Sequence, residues 1–300
     1  MSEVLNNNQV LLSILMPVYN GEKYLKETLE CVTRQTFKNF ELIILDNQSN
    51  DNSQKIIKSF QKRDARIRYI LDTKKRNGND CFSILIKHAL GKYLIVLNDD
   101  NYLDQNFFLK LIEKIQETNS DMVICNGYYI NENSKKKKIF FKKNIYFKGR
   151  PNIFKIINFF FKGDVIPLLL SSVILQKTFK NMLPYLNLSK FENDADTLMG
   201  IKILSNLKID VLEETLFYCR VYDYHERYHE NKMPKNFFSF LKEKLIHDIN
   251  LINYSINAVF NSKLGIIIKI IFIIFFPLLL IIKRIKNFLI ECILKFRKLI

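Results

Sequence analysis

Val10-Leu11-Leu12-Ser13-Ile14-Leu15-Met16-Pro17-Val18-Tyr19-Asn20-Gly21-Glu22 decides the reading of this chain. Val10 to Met16 is apolar except for Ser13, which marks a strand buried on both faces, and Pro17 is expected to end it. Glu22 to Gln35 follows with Tyr24, Leu25, Leu29 and Val32 at helical spacing, so an amphipathic helix is expected there. Working outward, the alternation repeats. Phe40 to Leu45, Ile67 to Leu71, Tyr93 to Leu97 and Met122 to Cys125 read as strands; Asn52 to Lys62, Cys81 to Leu90 and Phe107 to Glu117 read as helices between them. Strands separated by such helical stretches predict an α/β fold, a mainly parallel sheet flanked by helices.

Ligands of such sheets sit beyond the carboxyl ends of the strands. There the sequence places Pro17-Val18-Tyr19-Asn20-Gly21-Glu22 after the first strand, Asp46-Asn47-Gln48-Ser49-Asn50-Asp51 after the second and Asn98-Asp99-Asp100-Asn101 after the fourth. Any one of these is an ordinary turn or helix cap, and Asp51 or Ser53 suits a cap. Three along one edge favour a shared pocket. Asp99 and Asp100 are adjacent like charges that repel unless a cation or solvent screens them. Mg²⁺ takes one or two carboxylates together with waters and substrate phosphates, a demand this pair meets. Taken alone, the pair also reads as a solvated turn feeding the helix at Phe107. Neither glycine-rich phosphate loop occurs, so any bound phosphate needs a metal for much of its neutralisation.

Composition narrows the function classes. With 48% hydrophobic and 25% charged residues the chain buries a core, and only 8 Gly and 6 Pro exclude collagen-like or low-complexity architectures. Cys31, Cys81, Cys125, Cys219 and Cys292 are scattered with no close pair, which argues against a zinc ribbon or disulfide scaffold and fits a reducing compartment. The polar start, with Asn6-Asn7-Asn8, lacks the pattern of a secretory signal. His225 and His229 stand four apart without a third ligand, so no zinc site is expected.

The excess of 46 Lys+Arg over 30 Asp+Glu, a formal +16, is unevenly spread. Lys135 to Lys138, Lys142, Lys143, Lys148 and Arg150 interleave with Ile139, Phe140, Phe141, Tyr146 and Phe147. Nucleic-acid binding, a solvated hairpin and a surface for anionic lipid are the three readings of that segment. Residues 264–282 are apolar except for Lys269, and nineteen helical residues reach about 28 Å, close to a bilayer core, although Pro277 interrupts them. A span and an interfacial helix both fit. Residues 283–300 set Ile285, Phe288, Leu289, Cys292, Ile293, Phe296 and Ile300 on one face, with Lys283, Arg284, Lys286, Lys295, Arg297 and Lys298 elsewhere, as in helices that lie on anionic membranes. A helix pair for dimerisation is the alternative.

The order and spacing of Ser13 to Glu22, Leu45 to Asp51 and Gly91-Lys92-Tyr93 leading to Asn98-Asp99-Asp100 resemble the inverting glycosyltransferase family 2, of GT-A fold. The resemblance covers roughly residues 10–225. It implies a nucleotide-sugar donor, usually a UDP-sugar, with Mg²⁺ or Mn²⁺ bridging its diphosphate. It further implies that Pro17, Val18, Tyr19 and Glu22 line the nucleoside, that Asp46 and Asn47 hold the base, that Asp99 approaches the ribose and that Asp100 is the metal ligand. Phe191-Glu192-Asn193-Asp194-Ala195-Asp196 resembles the family's acidic motif and makes Asp194 the general base; read alone, Asp194 suits the first turn of the next helix. Tyr218-Cys219-Arg220-Val221-Tyr222 resembles the closing segment, where Arg220 either reaches the diphosphate or makes a structural ion pair. This chain departs from the pattern at Asn47 and Asn98, where the family commonly has acids, and at Phe82 and Ser83, where it has Arg and Asn.

The expected organisation is therefore a GT-A domain over residues 1–225, with a donor half near 10–130 and an acceptor half near 131–225. A helical connector over 226–262 and a membrane-associating tail over 263–300 complete it. The expected activity is transfer of a sugar to a lipid-linked or polysaccharide acceptor, at the cytoplasmic face of a bacterial inner membrane and without a nucleic-acid partner. Transfer to polyprenyl phosphate, and a basic nucleic-acid-binding or scaffold protein, are the competing readings.

Overall fold

The computed structural model describes residues 10–140, 148, 149, 151, 170–182 and 195–221, and within 252–277 all but 258, 263, 268 and 271. It divides into two compact units, one drawn from Met1–Arg150, Asp164–Asp196 and Leu207–Asn231, the other from Pro151–Gly163, Thr197–Asn206 and Lys232–Ile300.

The first unit is built on β1 (Leu12–Val18), a strand in which every residue except Pro17 is buried. Parallel neighbours flank it: β2 (Phe40–Asp46), which in turn pairs with β3 (Ile67–Leu71), and on the other side β4 (Tyr93–Val96). The expected stop at Pro17 is corrected, because the strand runs through it and Pro17 pairs in register with Leu45. The reason is local. Val18 O accepts from Asn47 N on the β2 side, whereas Leu15 O accepts from Leu97 N on the β4 side, so alternation turns the nitrogen of Pro17 toward β4. Pairing with β4 ends at Leu15, and no ladder bond is lost to the missing N–H.

Side-chain parity fixes the layers. Leu12, Ile14, Met16 and Val18 share one core with Leu25, Leu29 and Val32 of α1 (Leu25–Thr33), Ile57 and Phe60 of α2 (Ser53–Gln61), and Phe107, Phe108, Leu111, Ile112 and Ile115 of α4 (Phe107–Thr118). Residues of opposite parity, such as Leu15 and Ile43, are equally buried, and α3 (Gly78–His88) packs against β1 and β2. Burial on both faces is why these strands read as unbroken apolar runs; each buried Leu or Ile contributes about 1.5–3 kcal/mol.

Beyond β4 the sheet becomes mixed. β5 (Tyr102–Leu103), β6 (Met122–Ile130), β7 (Lys136–Ile139), β8 (Ser172–Leu175) and β9 (Ile209–Arg220) give the order β3-β2-β1-β4-β8-β6-β9-β5 among the described residues, with β7 on β6. β6 and β9 are parallel; β8 runs against both β4 and β6, and β5 against β9. β6 extends five residues past its expected end, because Tyr128 to Ile130 pair with β7 as well as with β9. The start of the basic aromatic segment is thus one arm of a hairpin, with Lys136 above the rings of Tyr128 (4.5 Å) and Tyr218 (5.6 Å). α5 (Gln176–Met182) and α6 (Ala195–Asn206) complete the assigned helices.

In the second unit the described residues of 252–260 and 266–277 are helical. No helix among the described residues is long and apolar enough to cross a membrane. The expected span over 264–282 has no support there, and residues 278–300, which include the expected amphipathic helix, lie outside the described residues.

Candidate active site

The loops that leave β1 and β2 are joined by side chains that cap each other's backbone. Asn20 N donates to Ser49 Oγ (3.0 Å), Gly21 N to Ser53 Oγ (2.9 Å) and Glu22 N to Asp51 Oδ2 (3.0 Å). In return Asn50 N donates to Asn20 Oδ1, and Asn52 gives both its backbone N–H and its amide to Glu22 Oε2. Burial opposes ionisation of Asp51, but hydrogen bonds from Ser53 and from backbone N–H groups outweigh it and hold the carboxyl below its usual range. Asn20 and Gln48 adopt the left-handed backbone (φ 53° and 61°) that lets the loops turn this tightly.

Asp46 is wholly buried, and it shapes the rim from beneath. Its Oδ1 accepts from Ser49 N (2.8 Å) and its Oδ2 from the Tyr69 hydroxyl (3.1 Å). Burial first, and then the charge of Asp46, push the Tyr69 phenol far above its usual range, which keeps it a donor. Asn47 forms a reciprocal pair with the backbone of Arg76, Nδ2 donating to the carbonyl and Oδ1 accepting from N–H, both at 2.8 Å. Arg76 is held in turn by Asp72 (2.6 Å), and the neighbouring Lys75 reaches the Tyr19 hydroxyl (2.8 Å). The β3 loop therefore joins the same rim. Val18 faces the core and its carbonyl accepts from Asn47 N in the rim, while Tyr19 is exposed.

The acidic loop is fixed from two sides. Thr28 Oγ1 on α1 lies 2.9 Å from the carbonyls of both Asp99 and Asn101, and Asn98 N donates to Asn101 Oδ1 (3.0 Å). From β9, Arg220 Nε donates to the Asp100 carbonyl (3.3 Å). The Arg220 side chain is 1% exposed and also bonds Glu27 (2.8 Å), the carbonyls of Asn131 and Glu132 and the Ser134 hydroxyl, with the Tyr24 ring 4.0 Å from its guanidinium carbon. Of the two readings of Arg220, the structural ion pair is present here.

Asp99 lies over Gly21: a Cβ added to that glycine would stand 2.2 Å from Asp99 Oδ2. The absent side chain thus seats the first acid of the pair against the β1 exit. Gly21→Ala is expected to displace Asp99 and lower donor turnover about 10- to 100-fold while the melting temperature changes little. Turnover and thermal melts of the variant beside the parent check this, and unchanged turnover removes Asp99 from the site.

Tyr19, Glu22, Asp46, Asn47, Asp99 and Asp100 thus belong to one stitched rim, whereas Asp194 lies outside the described residues. Ser49 and Ser53, read in the sequence as loop and cap residues, hold the rim together, and Thr28, Tyr69, Lys75 and Arg76 are further members that the sequence alone does not single out. Thr28 carried a signal: it is a hydroxyl on the apolar face of a helix, buried beside Leu29. Phe82, which stands where the family has an arginine, packs edge-on against Phe179 (5.8 Å) over a cavity lined by Leu94, Val96, Met122 and Ile174.

Among the described residues no three acidic, His or Cys side chains converge. Two neighbouring carboxylates beside an open rim do suit an oxygen-loving divalent ion that completes its shell with waters and phosphate oxygens.

The family profile described as glycosyl transferase family 2 matches residues 13–175, which spans the whole rim and the acidic loop. The chain belongs to glycosyltransferase family 2. An uncharacterized family relative from Methanocaldococcus jannaschii is 30% identical over 224 residues, 70% of this chain and 71% of that one. Glycosyltransferase GlyG of Streptococcus pneumoniae is 34% identical over 122 residues, 41% of this chain but 40% of GlyG, so the match spans less than half of that relative. Among solved structures, S. aureus TarS 1–349 in complex with UDP-GlcNAc superposes with a TM-score of 0.62 at 16% identity, covering 86% of this chain and 69% of that one. The family 2 sheet described above therefore has the GT-A arrangement, with Asp99-Asp100 at its carboxyl edge.

Proposed function

We propose that this chain is an inverting glycosyltransferase that moves a sugar from a nucleoside-diphosphate donor, a UDP-sugar, to a lipid-linked or polysaccharide acceptor in bacterial surface-glycan biosynthesis. The observation that carries the reading is the seating of Asp99 and Asp100 on the rim formed by the β1, β2 and β3 exits. A TarS structure of the same fold holding a UDP-sugar supports the donor class.

In this reading the nucleoside lies along Tyr19 and the loops braced by Glu22, Asp46 and Asn47, Asp99 meets the ribose, and Asp100 holds Mg²⁺ or Mn²⁺. The ion would offset the negative charge of the departing diphosphate. Asp194 accepts the proton of the acceptor hydroxyl as the acceptor oxygen bonds to C1 and the C1–O bond to the diphosphate breaks on the opposite face, so the anomeric centre inverts. Arg220 acts through the Asp100 carbonyl, as a positioning residue. A lipid-linked acceptor and the basic C-terminal sequence support work at the cytoplasmic face of the inner membrane.

A screen of nucleotide sugars for thermal stabilisation, with and without Mn²⁺, tests the donor: a true donor at a hundred times its dissociation constant adds about 2.7 kcal/mol. Asp194→Asn is expected to keep donor affinity and lose roughly 10²-fold in transfer, measured with the stabilising sugar. Transfer that survives this change points instead to an acceptor that is already anionic, such as polyprenyl phosphate. Stabilisation by no nucleotide sugar, with salt-sensitive binding to arbitrary DNA, rejects the enzyme reading.

A further inference from the structure

The second unit displays an apolar face with no counterpart in the rest of the described chain. Ile266, Ile267, Ile270, Ile274 and Phe275 are between 51% and 71% exposed, while Phe272 and Phe276 on the same helical stretch are buried and stacked at 4.5 Å. At helical spacing the four isoleucines fall within an arc of about 100°, and the two phenylalanines lie opposite. Exposed large apolar residues clustered in this way mark a binding surface, since a water-facing helix carries polar groups there. Lys269, half-buried, flanks the arc, with its ammonium 5.9 Å from the ring of the exposed Phe260.

Charge selects the occupant. Residues 263–300 hold eight Lys+Arg (263, 269, 283, 284, 286, 295, 297 and 298) and one Glu (291), a net +7. A second copy meeting this face would set +7 against +7, whereas an anionic lipid surface supplies both an apolar layer and compensating charge. Phe272 and Phe276 are buried within the chain, which leaves the isoleucine face for lipid, and no helix among the described residues is long and apolar enough to cross a bilayer.

We propose that the 266–275 face docks the chain on anionic membrane as an interfacial helix, inserting Ile266, Ile267, Ile270 and Ile274 into one leaflet without crossing it. This deepens the membrane reading given above and brings the transferase to the surface where a lipid-linked acceptor resides.

Flotation of the full chain with vesicles tests it. The parent is expected to float with phosphatidylglycerol/phosphatidylcholine vesicles and more weakly with phosphatidylcholine alone. Ile267→Glu with Ile270→Glu should lower partitioning about 100-fold or more, since two exposed isoleucines lose their burial in lipid. Both sites are exposed, so the thermal melt should be unchanged, and Ile267→Leu with Ile270→Leu should restore flotation. A double Glu variant that floats like the parent overturns the proposal. So does a parent that sediments as a dimer without lipid and becomes a monomer on the same substitution, since a second copy then covers the face. Donor binding measured alongside separates the two readings. A parent that floats but binds no nucleotide sugar rejects the transferase assignment and leaves the docking intact; one that binds donor but does not float rejects the docking alone.

Discussion

Asp100→Ala is expected to lower metal-dependent donor turnover by about 10³-fold while the protein melts near the parental temperature. Asp100 is half-buried just past β4, and a carboxylate adds no apolar packing, so its loss takes little from the core. The loop is held mainly through backbone groups, the Asp100 carbonyl on Arg220, the Asp99 and Asn101 carbonyls on Thr28, and Asn98 N on the Asn101 side chain, although the substitution also removes the bond that Asn101 Nδ2 donates to Asp100 Oδ1 (3.3 Å). The larger loss is charge. No other acidic group joins Asp99 and Asp100 in a cluster of three among the described residues, so half of the available carboxylate disappears with one substitution. Hydrolysis of the donor over a Mn²⁺ titration measures the effect. Parental turnover at every Mn²⁺ concentration would show that Asp100 is not the ligand.

Arg220→Met should lower stability by about 3–5 kcal/mol, a fall of roughly 10 °C in melting temperature for a domain of this size. The Arg220–Glu27 ion pair is a minor part of this, because the Glu27 side chain is 43% exposed and solvent screens it. Most of the cost comes from the carbonyls of Asp100, Asn131 and Glu132, which lose a buried charged donor. Arg220→Lys should recover little, since an ammonium cannot fork toward several acceptors at once or lie flat on Tyr24. Activity should fall further than stability explains, even well below the melting temperature, because Asp100 loses its anchor. Thermal melts and turnover at a permissive temperature separate the two effects; a variant that is destabilised yet fully active would make Arg220 a strut for the fold alone.

The first half of the chain is largely legible in its sequence. β2, β3 and α4 fall within one or two residues of their expected ends because apolar periodicity is a local signal that burial on both faces makes continuous. Helix α1 began three residues late, since Gly21 O accepts from both Tyr24 and Leu25 and turns the chain before the helix settles. The extension of β6, the short β5 and the long β9 were not read, because their partners come from up to 116 residues away: Tyr102 pairs with Tyr218. A strand completed by such pairing needs no periodicity of its own.

By itself the sequence determined the layer order of the donor half, the edge on which polar residues gather and the family, for each of these follows from neighbours within a few tens of residues. Only the tertiary structure decided how the polar residues share the work. Asp46 and Asn47, both read as base-holding, direct their polar atoms to Ser49, Tyr69 and Arg76, while Thr28 and Arg220 fix the acidic loop from positions 71 and 120 residues distant. Composition likewise left residues 264–282 open to a span, an interfacial helix or a helix pair. Burial of Phe272 and Phe276 beside exposed Ile266, Ile267, Ile270 and Ile274 distinguished its two faces, because hydrophobicity is written into a sequence whereas the direction each side chain faces is set by what packs against it.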